Sequence, residues 1–323
     1  MKTALIFPGQ GSQVVGMGRD LQQNFPQVKR VFEEVNEALK LDLTKIMFEG
    51  PVEELTKTEN TQPALMAVSI AIVRVLKEEF GYNIADLCSY VAGHSLGEYS
   101  ALCAAEALTL EQTAYLLKVR GAAMSRCAAK SEGAMAAILG LDTKSVEQLT
   151  KKAGEGEICQ VANDNSVGQV VISGQRSAIS RATSLAKEFG AKRAIILPVG
   201  GAFHSELMAD AKQEMKEALA DIQIKKPIIP LIANVTADFV EDPSKIKDLL
   251  IEQITGSVKW RESLLLMQKS SVEQTVEIGS GKVLCGLVSK TCPDIKTVSV
   301  QDSQDLKSYL STIELSCKKA KIL

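Results

Sequence analysis

One short stretch of this chain has the residue types and spacing for covalent chemistry. Residues 91–102 read VAGHSLGEYSAL, with the spacing Gly93-x-Ser95-x-Gly97. A serine so placed between a strand and a helix sits on a sharp turn that exposes its hydroxyl at the strand end. Glycines belong there because the two backbones pass close together. The helix starting near Leu96 aims unpaired N–H groups at the serine, where they could stabilise an oxyanion. A serine hydroxyl is a poor nucleophile until a base takes its proton, and the chain has only two histidines, His94 and His204. His94 adjoins Ser95 in an extended segment, where neighbouring side chains point to opposite faces. It reads as a packed residue beneath the turn. His204 lies in PVGGAFHSELM, in a loop past a predicted strand, a usual place for a functional group. If Ser95 is the nucleophile, His204 is the base.

No third triad member is evident. In hydrolases with this turn an acid falls between the serine and the histidine. Asp142 and Asp164 do so here, but both lie in a segment that reads as a separate small domain. A backbone carbonyl or an amide can also fix the imidazole tautomer, with less stabilisation of the imidazolium. The missing acid weakens an ordinary esterase reading.

The elements that must position these residues alternate between strand and helix, which predicts an α/β fold. Residues 4–7 read as a buried strand ending in PGQGSQ. Residues 62–80 read as a helix with Pro63 in its first turn and Leu65, Val68, Ile72, Val75 and Leu76 on one face. A strand is expected at 87–92 and a helix at 96–107, then later strands at 228–233 and 274–278. Between 133 and 198 the order is β-α-β-β-α-β, the ferredoxin-like arrangement. Its segments are 134–139, 143–153, 158–162, 169–173, 177–189 and 193–197, with the central hairpin marked by Asn163, Asp164, Asn165 and Gly168. The expectation is an α/β-hydrolase-like large domain with a parallel-sheet core, built from 1–126 and 199–323. A ferredoxin-like domain would be inserted at 127–198.

Composition narrows the function classes. Apolar residues make up 46% of 323, enough for a sizeable core, and the net charge of −2 gives no reason to expect a nucleic-acid or anionic-membrane partner. The longest apolar runs fall far short of the roughly 20 residues of a membrane span. The N-terminus, MKTALIFPGQG, reads as a first strand and not a signal peptide. Seven cysteines, an odd number with no C-x-x-C pair, read as reduced thiols of a cytoplasmic protein. Two histidines without ligand spacing argue against zinc.

Several further motifs stand in order along the chain: FPGQGSQ, TQPA at 61–64, GHSLGEYSAL at 93–102, RGAAM at 120–124, GAMAAILGL at 133–141, NSVGQVVISG at 165–174, AFHS at 202–205 and IGSGKVL at 278–284. Together they resemble the malonyl-CoA:acyl carrier protein transacylases of fatty acid and polyketide synthesis, from Phe7 to about Val300. The resemblance implies that Ser95 carries the acyl group as an ester and that His204 is base and then acid. The backbone N–H groups of Gln10 and Leu96 would form the oxyanion hole. Arg120 would hold the malonyl carboxylate, Gln62 would line the acyl pocket, and Gln253 would support His204 through its main-chain carbonyl. Phe203 resembles the residue at this place in malonyl-selective members. An arginine suits the carboxylate because its planar fork makes two charge-assisted hydrogen bonds, and when buried it penalises neutral acyl chains.

The partners implied are malonyl-CoA and an acidic, phosphopantetheinylated carrier protein, with a monomeric enzyme expected and no metal or organic cofactor. Lys130, Lys192, Arg193, Lys259, Arg261 and Lys282 are candidates for a basic docking patch. The tail after about Ser303 falls outside the resemblance and reads as a short helix followed by a basic end. Other readings are a transacylase for another acyl group, a serine thioesterase or esterase, and a non-catalytic carrier-binding subunit.

Overall fold

The computed structural model describes residues 1–320, with side chains through Ile313. Its main sheet contains β1 (Thr3–Phe7), β2 (Tyr90–Gly93), β7 (Leu231–Ile232), β8 (Phe239–Val240), β9 (Gln274–Ile278) and β10 (Lys296–Val300). The strand order is β10-β9-β1-β2-β7-β8, and every neighbouring pair is parallel except β7 and β8. A second sheet contains β3 (Gly133–Leu139), β4 (Cys159–Ser166), β5 (Gln169–Gln175) and β6 (Arg193–Ile196). It is antiparallel throughout, in the order β4-β5-β3-β6. The fold is thus mixed α/β with a parallel-dominated main sheet.

β1 reads TALIF without polar alternation because both its faces are covered. Leu5 and Phe7 pack into a core with the helices Thr58–Glu78 and Leu110–Lys130. Ala4 and Ile6 face the opposite layer, built on Trp260, Leu264 and Val288. The second sheet has its own core, which includes Ile138, Val146, Leu149, Ile172 and Ile179.

Several elements depart from the sequence expectation, each for a local reason. The helix expected from residue 62 begins at Thr58, so Pro63 lies inside it. Its N-cap is Lys57, with no capping side chain to mark the start. The strand expected at 87–92 is preceded by a short helix, Ile84–Leu87, capped by Asn83 and Asp86. The strand at 228–233 shrinks to the two residues of β7. Asn163, Asp164 and Asn165 lie within β4, which leaves Val167–Gly168 as the turn.

β4 stays extended because its far edge is used. Asn163 forms a parallel bridge with Val258, flanked by bonds from Asp164 N to Val258 O and from Val258 N to Ala162 O. Buried Asp164 also takes a forked ion pair from Arg261. The C-terminal helix is Ser303–Ala320, with Leu306, Tyr309 and Leu310 buried. The helix runs on through Lys318 and Lys319, the start of the expected basic end, and the rest of that end lies outside the described residues.

Candidate active site

β1 and β2 are parallel neighbours with Phe7 opposite Gly93, so the turns that follow them lie side by side. The His94 N–H donates to Phe7 O at 3.0 Å, and a Cβ on Gly9 would fall 2.8 Å from His94 O. The turn at Ser95 tolerates only glycine on either side. A Cβ on Gly93 would sit 1.9 Å from the Gly97 carbonyl carbon, and one on Gly97 would sit 2.3 Å from Phe7 O. Ser95 has φ +54° and His204 φ +56°, a left-handed backbone that costs energy in residues other than glycine and is concentrated at functional sites.

Ser95 Oγ lies 2.8 Å from His204 Nε2. On the other side of the ring, Nδ1 lies 2.8 Å from the main-chain oxygen of Gln253. A carbonyl can only accept, so Nδ1 carries the proton and Nε2 is left to accept from the serine. Asp142 caps the helix Thr143–Gly154 and Asp164 is bound to Arg261. Neither acid serves the imidazole.

Arg120 reaches this pair from the helix Leu110–Lys130 and is 1% exposed. It donates from Nη2 to Ser95 Oγ at 3.0 Å and to Gln253 Oε1 at 2.8 Å, and from Nη1 to Gln62 Oε1 at 2.9 Å. Gly121 makes this reach possible. A Cβ there would lie 2.5 Å from Glu59 Cα, so only glycine lets the helix press against the one bearing Gln62. Arg120 Nε is buried without a partner. A guanidinium with bonding capacity to spare, in a buried cluster, is suited to an acyl group that brings its own anion.

Burial dominates the electrostatics. It pushes the His204 imidazole down to about 3, with the Arg120 charge acting in the same direction and the Gln253 carbonyl opposing. The ring is therefore neutral and able to accept a proton at neutral pH. Burial pushes Glu98 up to about 7, against hydrogen bonds from Asn234 and Gln253 and the charge of Arg120. Arg120 is lowered by burial but stays protonated at any working pH.

Of the other residues singled out in the sequence, Leu96 follows Ser95 directly and Gln10 lies in the adjoining turn. Neither main-chain N–H finds an acceptor within the described residues. Phe203 is buried in the loop before His204. His94 packs edge-on against Trp260 and bonds Asn165 Oδ1 at 2.8 Å, on the side away from the serine. Among the docking candidates, Arg261 is engaged by Asp164 and Lys130 lies 3.5 Å from Asp210. No group of His, Cys, Asp or Glu among the described residues could hold a metal, and no described helix is long and apolar enough to cross a membrane.

Sequence reasoning missed two members of the cluster. Asn234 accepts from Ser95 N at 2.7 Å and donates to Gly93 O at 2.7 Å, tying the turn to the end of β7. Glu98 is 1% exposed and accepts from Gln253 Nε2 at 2.9 Å and Asn234 N at 3.0 Å. Glu98 did leave a signal. The helix Gly97–Ala104 is buried on nearly every side, and a carboxylate in such a helix needs partners. Asn234, in the run IANVTA, left none.

Comparison with known proteins agrees with this geometry. The chain matches the acyl transferase domain family over residues 4–320, so the match includes the tail that the resemblance left out. It is 45% identical over 314 residues to the malonyl CoA-acyl carrier protein transacylase of Bacillus subtilis, covering 97% of this chain and 98% of that one. Identity to the transacylase of that name from Escherichia coli is 41% over 307 residues, covering 95% and 98%. Among solved structures, the acyl-carrier-protein-S-malonyltransferase of Bartonella henselae superposes with a TM-score of 0.94 at 48% identity, over 97% of this chain and all of that one. A malonyl-transacylase solved in complex with its type II polyketide synthase acyl-carrier protein gives 0.92 at 38%, over 97% of this chain and 100% of that one.

Proposed function

The chain belongs to the acyl transferase family, and on that premise we propose that it moves a malonyl group from malonyl-CoA to the phosphopantetheine thiol of an acyl carrier protein. It is an S-malonyltransferase that supplies two-carbon extension units for fatty acid or polyketide chains. The observation that carries the mechanism is the chain of contacts from Arg120 through Ser95 and His204 to the Gln253 carbonyl.

Ser95 Oγ attacks the thioester carbon while its proton passes to His204 Nε2. The developing oxyanion is met by the N–H groups of Leu96 and Gln10, which have no other acceptor. The tetrahedral intermediate collapses, the proton passes to the departing CoA thiolate, and malonyl remains as an ester on Ser95. The carrier thiol then gives its proton to His204, attacks the ester and releases Ser95. Arg120 holds the free carboxylate beside the reacting centre, with Gln62 and Phe203 lining the acyl pocket. The main-chain carbonyl of Gln253 keeps the proton on Nδ1, which is why no acidic triad member is required. CoA and phosphopantetheine thioesters enter as substrates, and the reading assigns no cofactor.

The architecture read this way is an α/β-hydrolase-like domain of residues 1–126 and 199–323 carrying a ferredoxin-like insertion at 127–198. The β4-β5-β3-β6 order supports the second part. The acyl-enzyme is tested by exchange. Labelled CoA should enter malonyl-CoA in the absence of carrier protein, and no exchange without carrier would rule out the free-standing ester.

A further inference from the structure

The mechanism above leaves one buried acid beside the nucleophile without a task. Glu98 occupies the first turn of the helix after the nucleophile, where an acid is commonly explained by the helix dipole. Here that explanation fails on geometry. The carboxylate is 1% exposed, and its hydrogen bonds run sideways to Gln253 and Asn234, not to the amides of its own helix.

Those two partners hold nearly everything else in the cluster. Gln253 donates from Nε2 to Glu98 and to Ser95 O, at 2.9 and 3.0 Å, and accepts from Arg120 at Oε1. Gln253 Nε2 and the Asn234 main-chain N–H both donate to the same carboxyl oxygen, Oε2, so Glu98 dictates which end of the Gln253 amide faces it. The amide oxygen is then fixed toward Arg120. Reversing the amide would point an NH2 group at the guanidinium, donor against donor. Glu98 likewise binds the Asn234 main-chain N–H, and the Asn234 side chain holds Ser95 N and Gly93 O. One carboxylate thus sets the polarity of the Gln253 side-chain amide, aimed at the arginine, and anchors the main chain of the residue whose side chain holds the backbone of the nucleophile.

We propose that Glu98 is a positioning residue that aims Arg120 through the Gln253 amide, and so sets the enzyme's preference for acyl chains that end in a carboxylate. It touches neither substrate nor reacting atoms. Replacing the carboxyl with an amide, which can present either end, frees the Gln253 amide to rotate, and Arg120 loses one of its three fixed acceptors. The inference rests on Arg120 as the carboxylate clamp. It is the aim of the clamp, not its charge, that Glu98 supplies.

The test measures single-turnover acylation of Ser95 by malonyl-CoA and by acetyl-CoA across a range of concentrations. Wild type is compared with Glu98→Gln, Gln253→Met, the double variant and Arg120→Ala, with melting temperatures alongside. Gln253→Met removes the relay but keeps the main-chain carbonyl that holds His204. The malonyl-to-acetyl rate ratio should fall at least about tenfold in Glu98→Gln and in Gln253→Met, mostly through weaker half-saturation by malonyl-CoA. The double variant should be no worse than the poorer single by more than about threefold, as two members of one relay require.

A ratio unchanged in either single variant, or equal loss with both acyl groups, overturns the proposal and makes Glu98 a structural prop. If Glu98→Gln does not fold, Gln253→Met decides alone. A ratio that survives Arg120→Ala sinks the clamp itself. A ratio that collapses there but holds in the other two sinks only the role of Glu98.

Discussion

Replacing Arg120 with alanine removes the one cation that touches the nucleophile. In the structure the guanidinium is 1% exposed and makes hydrogen bonds of 2.8, 2.9 and 3.0 Å to three neutral oxygens. A malonyl carboxylate would exchange part of that set for charge-assisted bonds, worth about 1.5–3 kcal/mol each against about 1 for a neutral bond. Two such exchanges, with the burial of the site, put the loss on truncation at about 2–5 kcal/mol. At 1.4 kcal/mol per factor of ten, kcat/KM for malonyl transfer to Ser95 should fall about 30- to 4,000-fold. Acetyl-CoA brings no carboxylate, so its acylation rate should stay within about tenfold of wild type. The assay is acylation in single turnover followed by intact-protein mass, with a melting curve to show that the variant is folded. Equal losses for the two acyl groups, or unchanged malonyl transfer, would refute the reasoning.

Other perturbations probe the same frame. Burial pushes His204 down to about 3, so reaction of Ser95 with a small neutral serine reagent should hold level well below pH 6.5; a midpoint near 6.5 would contradict the burial argument. The linkage sign follows. Below 6.5 the unfolded chain takes up a proton that the folded ring refuses, so this residue's contribution makes stability fall as pH drops toward 3, measurable as a falling melting temperature. Gly97→Ala would drive a Cβ to 2.3 Å from Phe7 O, costing about 2–4 kcal/mol and disabling Ser95; wild-type melting and reactivity would show that the turn can relax. Asp164→Ala strands the partly buried Arg261 and should cost about 1–3 kcal/mol, seen as faster hydrogen exchange along β4.

The sequence made the turn legible because its requirements are steric and local. Gly-x-Ser-x-Gly between an apolar strand and a helix has few other uses, and with two histidines the base was a choice of one. Burial patterns also carried the fold well, since β1 is apolar on both faces and β9 matches its expected bounds, 274–278. Boundaries failed where no local chemistry marks them. Lys57 caps nothing at the start of its helix, and Asn163 to Asn165 read as a turn because the partner that keeps them extended, Val258, is nearly a hundred residues away in the chain. The polar network was legible only in part, with Gln253 named for its main-chain carbonyl but not for its side chain, and for the same reason. Asn234 and Gln253 act through contacts that span 139 and 133 residues, to Ser95 and Arg120, and only the folded chain brings them together.

The most direct test of the account is the mass of the intact protein after brief exposure to malonyl-CoA, then to holo carrier protein. A malonyl adduct on Ser95 that persists in buffer and moves to the carrier, and that neither forms in Ser95→Ala nor builds up comparably with acetyl-CoA, is the predicted result. An adduct lost to water before the carrier can take it, or no malonyl adduct at all, would contradict it.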